Sequence, residues 1–198
     1  KRRTDAGTTA ANIFISGVIL YYAHAGDSRV ILCRDDKLVF VTEDHHPDTL
    51  NERRRLLSEG VTTTSDDVKV IGNRLVKEHI SLALSRALGD RDFKKGLSPL
   101  PDVNYWSLTK ELIKGGTIRI IICCDGVFEG GVIDLKEAAR IVSSYENPQE
   151  SAEALMNEAY KRSSGDNITV MVVRLIPKTG SRIRRGATAP TPAPAPPA

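Results

Sequence analysis

The stretch Ile120-Ile121-Ile122-Cys123-Cys124-Asp125-Gly126 joins a run of large apolar side chains directly to an aspartate and a glycine. Thr117–Cys123 is rich in β-branched residues and apolar at its end, which is typical of a buried central β-strand. Asp125 would therefore lie where that strand ends, at the edge of a dry interior. A carboxylate in such a place needs a cation or several hydrogen-bond donors to offset the loss of water.

Two other aspartates stand next to both a glycine and an apolar strand. Asp27 follows Gly26 and the run Val18–Ala25, and Asp166 precedes Ile168–Val173. Each of these places alone is more typical of a turn, because Asp and Gly are common turn residues. If the three carboxylates converge, however, they repel one another unless a divalent ion neutralises them. Ligands that are all oxygen atoms favour Mg²⁺ or Mn²⁺.

Glu129 lies four residues beyond Asp125, in Phe128-Glu129-Gly130-Gly131. If the chain turns there, the Glu129 carboxylate reaches the same site. From the spacing alone, a glutamate in a surface loop is the better interpretation.

The rest of the pattern predicts β-hairpins with helices between them. The hairpins are Thr8–Ile15 with Val18–Ala23, Ser28–Cys33 with Leu38–Thr42, and Val61–Thr64 with Val68–Ile71. A first helix is predicted from Asp48 or Thr49 to about Glu59, with Leu50, Arg53, Leu56 and Leu57 along its inner face. The later elements are an edge strand Val103–Ser107, helices Leu135–Ser144 and Gln149–Arg162, and a last strand Asn167–Leu175.

Composition argues against several classes of protein. Of the 198 residues, 40% are hydrophobic and 27% are charged, as in an ordinary globular domain. The net charge of +3 comes from short basic stretches near both ends, so nucleic acid is not an expected partner for the body of the chain. No apolar stretch has the length of a membrane span, and the start of the chain has no apolar signal region.

The three cysteines, Cys33, Cys123 and Cys124, lack the spacing of a zinc site. The adjacent pair would point to opposite faces of a strand, which disfavours a disulfide between them. Reduced thiols in the core are expected, and with them an intracellular location.

Six short motifs, taken in order, resemble the metal-dependent Ser/Thr protein phosphatases of the 2C type, the PPM family. The motifs are Ala6-Gly7-Thr8-Thr9-Ala10, Ala25-Gly26-Asp27-Ser28-Arg29, Glu43-Asp44-His45-His46-Pro47, Leu82-Ala83-Leu84-Ser85-Arg86-Ala87-Leu88-Gly89-Asp90, Cys124-Asp125-Gly126-Val127-Phe128-Glu129 and Gly165-Asp166-Asn167-Ile168-Thr169-Val170. Each motif is short, but six in this order are specific, and they resemble the C-terminal portion of the phosphatase domain.

The resemblance implies an α+β fold, in which two packed, mainly antiparallel β-sheets are flanked by helices (an αββα sandwich), here N-terminally incomplete. It implies that Asp125 and Asp166 are ligands of a binuclear Mg²⁺ or Mn²⁺ centre. It also implies that Asp27, together with Asp125, belongs to a third and weaker metal site. Glu129 stands where the family usually has an aspartate in that weaker site. Ser85–Asp90 would be structural.

The implied reaction is the hydrolysis of phosphoserine or phosphothreonine in a phosphoprotein by a metal-activated water. No cysteine nucleophile is needed for it. The family's N-terminal motifs are not found in the sequence, however. The missing features are Asp-Gly-His-Gly-Gly, whose aspartate bridges the metals, a phosphate-binding arginine and an upstream Glu-Asp pair.

Three alternatives therefore remain open. The chain is a fragment of a complete enzyme, or it is half of a split phosphatase whose partner chain supplies the missing metal ligand. In the third alternative it is a catalytically inactive pseudophosphatase that acts as a scaffold or regulatory subunit of a larger assembly. Retention of Asp27, Asp125 and Asp166 favours the first two. This chain alone is expected to be a poor enzyme.

We divide the sequence into a basic stub (1–5), a partial phosphatase domain (6–176) and a tail (177–198) that is first basic and then rich in Pro and Ala. The end of the tail lacks large apolar side chains and is expected to be disordered or extended. Its basic part, Lys178–Arg185, would alternatively contact RNA or a membrane, but it has no aromatic residues that stack on bases. A solvated linker, or a tether within a larger assembly, fits it better.

Overall fold

Two antiparallel sheets pack on each other at the centre of the molecule. The computed structural model describes residues 6–176, apart from the side chains of Lys110 and Ile113, so the predicted stub and tail lie outside the described residues. The strands are β1 (Gly7–Thr8), β2 (Ala10–Ser16), β3 (Ile19–Ala25), β4 (Arg29–Arg34), β5 (Lys37–Val41), β6 (Lys69–Ile71), β7 (Arg74–Lys77), β8 (Ile80–Leu82), β9 (Leu88–Gly89), β10 (Asp102–Ser107), β11 (Ile118–Cys123) and β12 (Val170–Leu175). The helices are α1 (Leu50–Ser58), α2 (Thr109–Lys114), α3 (Leu135–Ser143) and α4 (Pro148–Lys161).

The first sheet has the order β10-β3-β2 and the second has the order β12-β11-β4-β5. The pairs β2–β3 and β4–β5 are the first two predicted hairpins, and β10 is the predicted edge strand, because it pairs with β3 on one side. The predicted α+β arrangement of packed antiparallel sheets is therefore confirmed.

Strand β11 is the central strand of the four-stranded sheet, as its apolar sequence predicts. It pairs with β4 on one side and with β12 on the other. Successive side chains of a strand point to opposite faces. Accordingly, Ile120 lies in the core between the two sheets and Ile121 lies in the layer beneath the helices, and both are fully buried.

Helices α3 and α4 cover the outer face of the four-stranded sheet. Val142 and Leu155 pack there against Ile31 and Val172. The side chains of Asp134 and Asn147 cap the two helices by accepting hydrogen bonds from backbone N–H groups. Within residues 6–176, no helix is both long and apolar enough to cross a membrane.

The third predicted hairpin is wrong. Lys69–Ile71 (β6) forms its strand ladder with Arg74–Lys77 (β7), across a turn at Gly72-Asn73, whereas Val61–Thr64 forms no strand and contacts β6 through the hydrogen bond from the Val70 N–H to the Thr62 carbonyl (3.0 Å). Gly72 has a φ of +60°, a backbone conformation that glycine adopts without strain. This tight turn is shorter than the predicted one through Ser65-Asp66-Asp67 and takes its place.

The predicted inner face of α1 is also partly wrong. Leu56 is buried, but Leu50 and Leu57 are 61% and 55% exposed, and the other buried side chain is that of Glu52. Glu52 is buried because it accepts hydrogen bonds from Arg86 and Ser85, which belong to a distant part of the chain. Periodicity within the helix contains no information about such partners.

The three thiols are free, as expected. Cys33 and Cys123 are buried and Cys124 is half-buried. Burial raises the pKa of both Cys33 and Cys123 to about 12, so neither is suited to act as a nucleophile.

Candidate metal centre

Asp125 lies at the edge of the four-stranded sheet, just beyond the end of strand β11. The strand ends at Cys123, and Asp125–Val127 then form a single 3₁₀ turn. A Cβ atom added at Gly126 would lie 2.2 Å from the carbonyl oxygen of Asn167 and 3.4 Å from the Cβ atom of Asp166. The turn therefore lies directly against the Asp166-Asn167 loop, and only a glycine permits that approach.

Hydrogen bonds join the same two segments on both sides of Asp125. The backbone N–H of Cys124 donates to the Thr169 carbonyl (3.2 Å), and the Cys124 thiol donates to the Asn167 carbonyl (3.1 Å). The Ser164 hydroxyl donates to the Gly126 carbonyl (2.7 Å). These bonds hold Asp125 and Asp166 on neighbouring backbone segments at one end of the sheet.

Glu129 belongs to this junction through its side chain. Its Oε2 atom accepts a hydrogen bond from the backbone N–H of Gly165 (2.7 Å) and lies 3.4 Å from the Ser164 hydroxyl. One carboxylate oxygen thus fastens the segment after β11 to the loop that carries Asp166. The assignment of Glu129 as a metal ligand stays a prediction.

Asp27 lies between β3 and β4 and is 9% exposed. Burial and, after it, the Asp125 carboxylate raise the pKa of Asp27 to about 6. Asp125 is exposed, so the dry setting predicted for it is not found, but partial desolvation and then Asp166 still raise its pKa, and Glu129 adds to this shift. The structure therefore brings Asp27, Asp166 and Glu129 each within electrostatic reach of Asp125, and a cation would relieve this repulsion.

The donor atoms fit a hard divalent ion but form an incomplete set. All four side chains offer carboxylate oxygens, which suit Mg²⁺ or Mn²⁺. Among residues 6–176, however, no group of three His, Cys, Asp or Glu side chains is close enough to hold an ion on its own. The carboxylates among the described residues thus match the metal in donor chemistry, but no three of them converge on one point.

Sequence reasoning missed a layer of charged residues beside these carboxylates. Arg29 donates two hydrogen bonds to Asp44 (2.8 and 2.5 Å), and its guanidinium lies 4.7 Å from the centre of the Phe128 ring. His46 Nε2 is 3.6 Å from the same Asp44 carboxylate. All four residues stand in the quoted motifs, but their contacts depend on the fold and have no signal in local spacing.

Comparison with known proteins identifies the family. The family model described as Protein phosphatase 2C matches residues 1–168. The chain belongs to the protein phosphatase 2C family.

In alignments with curated members of the family, about a third of the aligned residues are identical. The chain is 33% identical over 184 residues to "Probable protein phosphatase 2C 59" of Arabidopsis thaliana, covering 93% of the chain and 55% of that protein. It is 35% identical over 173 residues to "Protein phosphatase 2C homolog 1" of Schizosaccharomyces pombe, covering 86% of the chain and 45% of that protein. The chain thus spans about half the length of the curated 2C phosphatases that it matches.

Solved structures share the fold. A serine-threonine phosphatase 2C from Toxoplasma gondii aligns with a TM-score of 0.66 at 24% identity, over 84% of this chain and 57% of that one. A second phosphatase from T. gondii aligns with a TM-score of 0.62 at 28% identity, over 78% of this chain and 47% of that one. These alignments show that the chain shares its fold with the two phosphatases over most of its length.

Proposed function

We propose that the chain forms part of a metal-dependent protein Ser/Thr phosphatase, in which Asp125 and Asp166 hold Mg²⁺ or Mn²⁺ and Asp27 contributes to a weaker site. The observation that carries this proposal is the close packing of the Gly126 turn on the Asp166 loop, which brings the exposed carboxylates of Asp125 and Asp166 to one sheet edge. Membership of the 2C family supports the substrate class, a phosphoprotein.

When bound, a pair of divalent ions supplies a hydroxide at neutral pH and neutralises phosphoryl oxygens. In this proposal the chain's own residues bind and orient. Asp125 and Asp166 bind the ions, Glu129 fixes the loop that carries Asp166, and Arg29 holds Asp44 beside the site. A segment or partner chain outside the described residues completes the coordination. An intracellular location remains a prediction.

The names of the relatives give no support to the scaffold alternative, because the relatives described above are named as phosphatases. That alternative and the proposed function differ in one measurable property. A scaffold leaves a phosphopeptide intact whatever metal is added, whereas a phosphatase hydrolyses it with Mn²⁺ or Mg²⁺ and stops when the metal is chelated.

The test uses the full-length protein with a phosphothreonine peptide and a phosphotyrosine peptide of the same sequence. We expect Mn²⁺-dependent release of phosphate from the first peptide and much slower release from the second. Asp125→Asn and Asp166→Asn should each reduce the rate at least about 100-fold, since removal of one electrostatic contact at a reacting centre typically costs about 10² to 10³ in kcat. Asp36→Asn, in the turn at the opposite end of β4, is the matched control and should keep the wild-type rate. Phosphate release unaffected by chelation would overturn the proposal.

A further inference from the structure

Two buried histidines stack on each other just behind Gly26-Asp27. The rings of His24 and His45 have centroids 4.4 Å apart and planes 19° apart, and each residue is 3% exposed. His24 Nε2 lies 2.9 Å from the Glu43 carbonyl, and burial lowers the pKa of His24, which favours its uncharged form. The His45 ring is therefore held between an uncharged aromatic neighbour and the loop that carries Asp27.

His45 makes two hydrogen bonds to the same glycine. Its backbone N–H donates to the Gly26 carbonyl (3.1 Å), and its ring Nδ1 accepts from the Gly26 backbone N–H (3.1 Å). A nitrogen that accepts carries no hydrogen, so the ring hydrogen is on Nε2. That atom lies 3.2 Å from Asp102 Oδ2, in an electrostatic contact whose angle is unfavourable for a hydrogen bond.

Asp102, whose side chain is 55% exposed, is in turn held by Arg86 at the edge of a buried network. Arg86 donates to Asp102 (2.6 Å) and, through two other nitrogens, to Glu52 (2.9 and 2.5 Å). The Ser85 hydroxyl donates to the His45 carbonyl (3.0 Å) and to Glu52 (2.8 Å). His45 is thus anchored through both its ring and its backbone.

Gly26 has no room to move away from His45. Its φ is +101°, and an added Cβ would lie 2.4 Å from a methyl carbon of Thr9 and 3.3 Å from the Arg86 carbonyl oxygen. The Gly26 backbone is therefore clamped between Thr9 on one side and the His45 ring on the other. Asp27 is the next residue, so its backbone position is set by this clamp.

We propose that His45, as the Nε2–H tautomer, is a positioning residue that fixes the Gly26-Asp27 backbone and thereby aims the Asp27 carboxylate at Asp125. The inference rests on the proposed function, because it assigns His45 a task at the metal site. A histidine that merely fills the core would affect stability through its packing, without a specific dependence on its Nδ1 atom.

Two substitutions test the roles of the two ring nitrogens of His45 separately. In His45→Asn, the Oδ1 atom takes the place of Nδ1 and accepts from Gly26, whereas the contact with Asp102 is lost. In His45→Gln, the Nε2 amide takes the place of the ring Nε2 and faces Asp102, whereas the Gly26 bond is lost. Both variants remove the ring, so their packing losses are similar, and thermal unfolding of each checks that it folds.

The wild-type chain gives a first result that needs no variant. By NMR we expect a pyridine-type Nδ1 and a pyrrole-type Nε2 in His45, with a scalar coupling across the hydrogen bond from Gly26 N to His45 Nδ1. The opposite tautomer would overturn the proposal.

The variants give the second result. Exchange of the Gly26 amide hydrogen should be at least about fivefold faster in His45→Gln than in the wild type, because loss of a hydrogen bond costs about 1 kcal/mol. In His45→Asn it should stay close to the wild-type rate. Mn²⁺ should broaden the Asp27 amide signal about as strongly in His45→Asn as in the wild type, and less strongly in His45→Gln. Equal changes in both variants would contradict a role through Nδ1. If Mn²⁺ fails to broaden Asp27 in the wild type, the metal proposal fails by itself, and the exchange rates still decide whether His45 fixes this backbone.

Discussion

Gly126 is the residue on which the packing of the candidate metal centre depends. Any side chain there must displace the Asn167 carbonyl, which would lie 2.2 Å from a new Cβ. We expect Gly126→Ala to lower the free energy of unfolding by about 1–3 kcal/mol, the usual cost of forcing an extra carbon into a packed site, and to weaken Mn²⁺ binding. Chemical denaturation and Mn²⁺ titration measure the two effects.

Gly165→Ala is the matched control for that substitution. Gly165 lies in the same junction, but its added Cβ would meet Glu129 Oε2 at 3.5 Å, an ordinary contact distance. This variant should keep both its stability and its Mn²⁺ response. If Gly126→Ala is equally well tolerated, the two segments are not packed as described.

Asp44 and His46 make the free energy of unfolding depend on pH. Burial alone raises the pKa of Asp44, but the hydrogen-bonded Arg29 and the nearby His46 ring outweigh it and lower this pKa from 3.8 to about 2. The nearby Asp44 carboxylate, together with the hydrogen bond to the Ala83 carbonyl, raises the pKa of His46 from 6.5 to about 9. Asp44 therefore stabilises the fold above pH 3.8 and loses this effect as the pH falls through about 2. His46 stabilises it fully below pH 6.5 and loses this effect as the pH rises through about 9.

Denaturant unfolding without metal, repeated across the alkaline range, tests the His46 part. The wild-type unfolding free energy should decline between pH 6.5 and about 9. His46→Gln cannot take up the proton and should flatten that part of the curve. An unchanged slope in His46→Gln would show that another group is responsible.

At the scale of the element, α1 is attached to the body by a buried glutamate and not by an apolar stripe. Glu52 is 1% exposed and accepts hydrogen bonds from Arg86, Arg55 and Ser85. We expect Glu52→Gln to lower the free energy of unfolding by about 1.5–3 kcal/mol, because it removes the buried negative charge that the half-buried Arg86 and Arg55 share. Thermal or denaturant unfolding measures this loss.

Glu59 offers a control on the same helix. It also pairs with Arg55, but its side chain is 42% exposed. Glu59→Gln should cost less than about 1 kcal/mol, as exposed ion pairs do. Equal losses in the two variants would mean that the buried network does not hold α1.

Elements with a strong local pattern were predictable, and elements decided by distant partners were not. The strand before Asp125 is apolar and β-branched whatever surrounds it, so the sequence predicts β11 and its central place. The burial of Glu52 depends on Arg86, 34 residues away along the chain, so the periodicity of the helix sequence does not predict it. The turn at Gly72-Asn73 was missed because another polar segment nearby was also suited to a turn.

The candidate site was predictable in its carboxylates and not in its supports. Asp27, Asp125 and Asp166 each stand beside a glycine at a strand end, a pattern that can be read directly. The contacts of His45 with Gly26 and Asp102 join three separate segments and require the fold. A histidine in the sequence has no feature that indicates which of its nitrogens carries the hydrogen.

At the scale of the whole molecule, the two sheets differ in what covers them. Helices α3 and α4 cover the four-stranded sheet, whereas Phe14 and Val103 on the outer face of the three-stranded sheet are 66% and 68% exposed. Phe14 contacts solvent beside Tyr21, with ring centroids 6.2 Å apart. We expect this apolar face to bind an environment-sensitive dye in the isolated chain, and Phe14→Ser to reduce the fluorescence.

Ile120 provides the comparison for Phe14. Ile120→Ala should cost about 2–5 kcal/mol because Ile120 is fully buried between the sheets, whereas Phe14→Ser should change the unfolding free energy by less than about 0.5 kcal/mol. A large loss in Phe14→Ser would show that its side chain is covered in solution.

The most direct measurement of the central claim is the shift of the thermal unfolding midpoint of this chain by Mn²⁺, in the wild type, Asp125→Asn, Asp166→Asn and Asp36→Asn. A ligand that binds only the folded state stabilises it by RT ln(1 + L/Kd), where L is the free ligand concentration, so the midpoint rises with the logarithm of the ligand concentration above Kd. We predict such a rise in the wild type and in Asp36→Asn, and its loss in Asp125→Asn and Asp166→Asn. Equal rises in all four proteins, or none in the wild type, would contradict this prediction.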